Sequence, residues 1–142
     1  MFHHVTLAVK APVDLVWRTI ADLEDWPKWT PTVTSVKPSH QDGLRVGDTA
    51  EVVQPKQRDR VWTITEVKEG ESFTWKASDP GGLRLSADHI AKPGPDGTTV
   101  VELTFDLAGP TAFLAKLLAG ATIRKFVDTE AKSLKEWCEQ HA

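Results

Sequence analysis

The chain has 142 residues, with 17 Lys and Arg against 20 Asp and Glu, six Trp, no Tyr and one Cys. Its length predicts a single domain over residues 1–142, and its apolar content is that of a globular protein rather than of a disordered one. The net charge of −3 disfavours a nucleic-acid partner, and the lone Cys138 excludes an intrachain disulfide. We find neither a leader pattern nor an apolar run long enough for an integral membrane segment, so we expect a soluble, cytoplasmic protein.

The N-terminal part of the chain predicts a strand followed by two short helices. Residues 2–10 alternate and are rich in β-branched side chains, which is typical of a strand. Pro12 then stands at a favourable first helical position, and apolar residues at 13, 16, 17 and 20 give that helix one buried face. The Trp- and Pro-rich segment 26–31 has room for only a short helical turn.

From residue 32 to 108 the pattern is β throughout. Gly, Pro and Asp occupy the gaps between candidate strands, which cover 32–38, 48–55, 60–68, 72–78, 83–91 and 98–107. Short connections favour antiparallel pairing, so we expect one meandering sheet of six to seven strands.

Residues 111–140 predict a C-terminal helix about 45 Å long. Its apolar stripe changes phase around Gly120, a residue that weakens a helix by about 1 kcal/mol relative to Ala. We therefore expect a kink or break there, and a segment 109–121 that moves to admit a ligand.

These elements predict an α+β protein with an internal cavity. A sheet with one apolar face needs a covering layer, and the only long element available is the C-terminal helix. One helix about 10 Å wide cannot cover six or seven strands spaced about 4.8 Å apart if the sheet stays flat. The sheet must therefore curl around the helix, and such a sheet tends to leave interior space.

Several motifs resemble those of a known family. The segment Ala11-Pro12 to Val16-Trp17 resembles an "A-P-x-x-x-V-W" opening, Trp26-Pro27-Lys28-Trp29 a "W-P-x-W" signature, and residues 43–47 a "G-L-x-V-G" turn. All three are similar to the polyketide cyclase/dehydrase-like branch of the START-like, or Bet v 1-like, helix-grip superfamily (SRPBCC). The resemblance spans essentially the whole chain. It implies a curved antiparallel sheet wrapped around a long C-terminal helix, with two short helices after the first strand, but no single chemistry.

The candidate ligand contacts are large apolar side chains together with one histidine. Trp62, Trp75 and Phe105 lie on inward-facing strand rows, which are core rows by default and pocket walls in a helix-grip fold. Trp26 and Trp29 form either the cavity mouth or, as we favour, a packed cap on the sheet. The candidate set is Trp26, Trp29, Trp62, Trp75, His89, Phe105, Phe113 and Leu117.

His89 is the candidate catalytic residue because it shares a strand face with four apolar residues. A lone imidazole there orients a ligand or serves as an acid/base, although such a histidine is more commonly structural. His3 and His4 point to opposite faces of a strand and cannot chelate one metal, and no cofactor motif is present. We therefore expect no metal site and no cofactor.

The first hypothesis for function is binding of a small hydrophobic ligand for storage, transport or sensing, by a monomer or homodimer. The alternative is a polyketide cyclase, aromatase or dehydratase that uses the same cavity, with His89 as acid/base. A third class, an interaction module, would need an exposed apolar patch. The region around Leu117 and Leu118 suits either a membrane surface or core packing, and packing is the favoured interpretation.

Overall fold

The computed structural model describes residues 2–142, which form a seven-stranded antiparallel sheet, two short helices and one long helix. The strand order in the sheet is β1-β7-β6-β5-β4-β3-β2. The strands are β1 (His3–Val9), β2 (Ser35–Pro38), β3 (Thr49–Val53), β4 (Arg60–Lys68), β5 (Ser72–Asp79), β6 (Leu83–Pro93) and β7 (Thr99–Ala108). The helices are α1 (Val13–Ala21), α2 (Trp26–Trp29) and α3 (Ala112–His141). The predicted α+β class and helix-grip architecture are confirmed.

The boundaries of α1 and β2 differ from the predicted ones at their first residues. Pro12 stands just before α1 in an extended conformation, with φ −68° and ψ 149°, rather than at the first helical position. Strand β2 begins at Ser35 instead of residue 32, because the hydroxyls of Thr30 and Thr32 bond to each other at 2.8 Å in a buried turn. Such local hydrogen bonds compete with strand pairing.

Helix α3 continues without interruption through Gly120, so the predicted break is wrong. A Cβ atom at this position would lie 3.0 Å from Cζ of Phe2. The glycine therefore lets the Phe2 ring approach the helix closely, and the movement of segment 109–121 stays a prediction.

The position of α3 leaves part of the sheet uncovered. Its contacts with the sheet are concentrated on β1 and β7, at one end of the strand order, and its buried side chains Val127, Ala131 and Leu134 lie in the core. Strand β4 carries an irregularity in register between Ile64 and Glu66, which increases local bending and twist. The concave face of β4, β5 and β6 therefore lies beside the helix rather than under it.

Candidate functional site

A cavity of about 380 Å³ lies between the concave face of the sheet and α3. Trp62 on β4, Trp75 on β5 and Phe105 on β7 line it, because alternate residues of a strand face the same side. Ala87 on β6 pairs in register with both Trp75 and Phe105, so a methyl group stands between two large rings. This small residue leaves interior space where a larger one would fill it.

The aromatic wall is a continuous series of ring contacts. Trp75 lies 5.4 Å from Trp62 and 5.3 Å from Trp26 between ring centroids, and Trp62 meets Phe105 edge to face at 6.3 Å. Rings in contact at these separations gain about 0.5–1.5 kcal/mol per pair beyond the burial of their area. The wall is therefore held in place before any ligand arrives.

His89 also lines the cavity and is 4% exposed. Its ring stacks on Phe73 at 4.3 Å with 7° between the planes, and it lies 5.7 Å from Trp75 and 5.4 Å from Trp26 in edge-on geometry. Its Nδ1 atom is buried and makes no hydrogen bond with residues 2–142. Contacts with three aromatic rings therefore hold the imidazole in its orientation.

Glu130 of α3 lies next to this histidine on the cavity wall. The distance from His89 Nε2 to Glu130 Oε1 is 3.7 Å, beyond the range of a direct hydrogen bond, and Oε1 is likewise buried without a partner in the described chain. Sequence reasoning missed Glu130, although it is spaced four residues from both Phe126 and the buried Leu134. A carboxylate within an apolar i, i+4 row was the available signal.

The cavity reaches the protein surface between the β3–β4 loop and the first turns of α3, where the exposed residues Lys56, Arg58 and Leu118 belong to its lining. Just inside, Arg60 donates two hydrogen bonds to the Asp79 carboxylate, at 2.9 and 2.7 Å, and a third to Gln57 at 2.9 Å. The two hydrogen bonds that Asp79 accepts from Arg60, and the positive charge of Arg60, lower the pKa of Asp79. The polar mouth thus contrasts with the aromatic interior.

Five of the eight predicted contacts line the cavity: Trp26, Trp62, Trp75, His89 and Phe105. Trp29 does not, because its ring is buried against Trp26 at 5.4 Å, and neither tryptophan stands at the mouth. Phe113 and Leu117 point to solvent, with 78% and 70% of their surface exposed. These two side chains therefore do not line the cavity.

Phe113 and Leu117 face solvent because of the way α3 is rotated about its own axis. Its first half carries two apolar stripes, and the one with small residues, Ala115 and Ala119, faces the cavity. The stripe with large residues, which includes Leu117 and Leu118, faces solvent. The favoured interpretation of core packing for Leu117 and Leu118 is therefore wrong.

Residues 3–139 match the sequence profile described as "Polyketide cyclase / dehydrase and lipid transport". The chain belongs to this family. A search among curated protein sequences finds no match.

Solved structures similar to this family member share its fold. A protein from Nitrosospira multiformis superposes with a TM-score of 0.75 at 18% identity, covering 96% of this chain and 94% of that one. A START superfamily protein from Mycobacterium smegmatis gives 0.70 at 19% identity, covering 99% and 98%. The di-domain ARO/CYC StfQ of the steffimycin biosynthetic pathway gives 0.68 at 20% identity, and the match covers 98% of this chain but 45% of StfQ. At these identities the likeness establishes the fold alone.

The described residues contain neither a membrane-spanning helix nor a cluster of side chains suited to bind a metal ion. No helix within residues 2–142 is long and apolar enough to cross a membrane. No cluster of three or more His, Cys, Asp or Glu side chains in the same range is arranged to hold a metal ion.

Proposed function

We propose that this protein binds a small hydrophobic molecule in the cavity between the sheet and α3, for storage, transport or sensing. The observation that carries the proposal is a cavity of about 380 Å³ whose interior wall is formed by Trp26, Trp62, Trp75 and Phe105. Ligand pockets of proteins commonly fall between about 300 and 1,000 Å³ and are mostly apolar. Each 100 Å² of apolar ligand surface removed from water contributes about 2.5 kcal/mol.

The aromatic wall is packed in the absence of a ligand, and this supports ligand binding in the cavity. The rings of Trp26 and Trp75 pack against each other and against His89, and the short side chain of Ala87 leaves the space between Trp75 and Phe105 unfilled. A site that is ordered before the ligand arrives loses little conformational entropy on binding.

A titration followed by tryptophan fluorescence tests the proposal, because three tryptophans lie on the cavity wall. Ala119→Phe fills the cavity from α3 and is expected to abolish binding of naphthalene and similar apolar probes. Ala121→Phe makes the same change two residues away on the exposed side of the helix and is expected to leave binding intact. Equal binding by the two variants would place the ligand elsewhere.

The alternative function is a cyclase, aromatase or dehydratase acting on a poly-carbonyl chain held in the same cavity. The pair of His89 and Glu130 on the cavity wall favours it, because an imidazole oriented beside a carboxylate serves general acid–base chemistry. Holding a flexible chain in a reactive geometry also lowers a barrier by several kcal/mol. If the protein is an enzyme of this kind, His89→Ala is expected to abolish product formation while ligand affinity persists. Unchanged turnover of this variant would show that His89 has no role in the mechanism.

A further inference from the structure

His89 and Glu130 present one polar atom each to the other without forming a direct hydrogen bond. Nε2 and Oε1 are 3.7 Å apart, too far to bond to each other. A single oxygen atom placed beside the gap lies about 2.8 Å from both, which is the normal length for a hydrogen bond on each side. Buried polar atoms in folded proteins almost always have a partner, so the unpartnered Oε1 of Glu130 calls for a hydrogen-bond donor beside it.

The chemistry of the two groups selects what that atom is. With Nδ1 unpartnered among the described residues, we assign the imidazole proton to Nε2, the ring nitrogen nearer to the carboxylate. The intervening group must then accept from Nε2–H and donate to Oε1. A neutral hydroxyl does both, an ether oxygen only accepts, and a carboxylate would bring a second negative charge beside Glu130.

We propose that the cavity is selective for an apolar molecule that bears one hydroxyl group, which inserts between His89 and Glu130. This inference rests on the proposed binding function and adds that the ligand carries one hydroxyl group. The aromatic wall holds the apolar body, and the pair at the Glu130 side of the cavity fixes its orientation.

Calorimetric titration of four probes tests the inference: 2-naphthol, naphthalene, 2-methoxynaphthalene and 2-naphthoate. The wild-type protein is expected to bind 2-naphthol at least about tenfold more tightly than naphthalene or 2-methoxynaphthalene, and to bind 2-naphthoate most weakly. Glu130→Leu and His89→Phe are each expected to reduce the preference for the hydroxyl to about twofold or less while naphthalene still binds. Glu136→Leu, the same substitution at an exposed glutamate of α3, leaves the preference unchanged.

The results of this titration distinguish failure of the hydroxyl site from failure of the proposed binding function. Equal affinity for 2-naphthol and naphthalene in the wild-type protein overturns the hydroxyl site, because a water then serves as the third atom, and leaves the binding function standing. Tightest binding of 2-naphthoate overturns the assigned chemistry. Failure of every probe to bind overturns the binding function and the hydroxyl site together.

A second, independent observation is an apolar face on α3 formed by Phe113, Leu114, Leu117 and Leu118. These side chains are between 52% and 78% exposed. Residues 112–127 also contain Lys116, Arg124 and Lys125 and no Asp or Glu, whereas all the acidic residues of α3 lie from Asp128 onward. This half helix carries three positive charges in a chain whose net charge is −3.

We infer that the apolar face docks on an anionic lipid surface. Large apolar side chains flanked by lysine and arginine suit the boundary between lipid headgroups and acyl chains. A second copy of the chain would bring the same positive charges together across a two-fold axis, which disfavours self-association. Leu118 belongs both to this face and to the cavity lining, so docking would turn the cavity mouth toward the lipid.

Co-sedimentation with vesicles tests this docking. The protein is expected to sediment with vesicles of phosphatidylglycerol and phosphatidylcholine, and at least about fivefold less with phosphatidylcholine alone. Replacing Leu117 and Leu118 with Ser removes binding, whereas replacing the exposed Val46 and Val61 with Ser does not. Equal sedimentation of the two double variants overturns the proposal, as does a dimer in light scattering that depends on Leu117 and Leu118 without any lipid binding.

Discussion

Replacing Glu130 with Leu is expected to stabilise the protein while removing its preference for a hydroxyl. The carboxylate oxygen Oε1 is buried on the cavity wall without a hydrogen bond from residues 2–142, and such an atom costs about 1–3 kcal/mol of folding free energy. Leu and Glu have similar helix propensity. The carboxylate is 3.7 Å from His89, so the substitution removes no direct hydrogen bond between the two side chains. We expect the free energy of unfolding to rise by about 1–2 kcal/mol.

Urea unfolding followed by circular dichroism measures this change, and a thermal scan should show the midpoint rising by about 3 °C per kcal/mol. Glu136→Leu is the matched control on the same helix, since its side chain is exposed and only 3.9 Å from Lys132. That control should change stability by about 0.5 kcal/mol or less. If Glu130→Leu lowers stability instead, the carboxylate is satisfied in the folded state, and the case for a ligand group between it and His89 fails.

Three other predictions concern parts of the fold outside the pair of His89 and Glu130. Leu134→Ala, at a position 1% exposed, is expected to cost about 2–5 kcal/mol of unfolding free energy, whereas Leu117→Ala should change it by less than about 1 kcal/mol; equal effects in urea unfolding would contradict the orientation of α3. Because Arg60 lowers the pKa of Asp79 from 3.8, the stabilisation from this pair is complete above that value and is lost as pH falls through the lower folded pKa. Acid titration of stability should therefore be flatter for Arg60→Met than for wild type, and parallel curves would exclude the pair as the cause. Burial raises the pKa of the Cys138 thiol, so a disulfide reagent at pH 8 should label it only after unfolding, and rapid labelling of the native protein would contradict its burial.

The sheet could be predicted because alternation in a strand decides which side chains point inward. Because Leu85, Ala87 and His89 are alternate residues of one strand, assigning the first two to the interior also assigns His89 to it. The structure places His89 on the cavity wall. The curled sheet and its interior space follow from the same pattern, because one helix cannot cover seven strands.

The rotation of α3 could not be predicted, because the sequence of its first half offers two apolar stripes. Large side chains such as Phe113 favoured the wrong stripe, while the small side chains of Ala115 and Ala119 face the cavity. Glu130 was passed over because a charged residue on a helix normally marks its solvated side. The burial of Oε1 and its distance to His89 show that this carboxylate belongs to the interior.

The three alanines on the cavity wall, Ala87, Ala115 and Ala119, have a consequence for how this protein can diverge. The interior space exists because side chains at these positions are short, while the strands and α3 around them keep the geometry of a packed fold. Substitutions there change ligand length in steps of a methylene, each worth about 0.8 kcal/mol of affinity, without altering backbone pairing. Related proteins with the same backbone can therefore discriminate among homologous ligands by chain length alone.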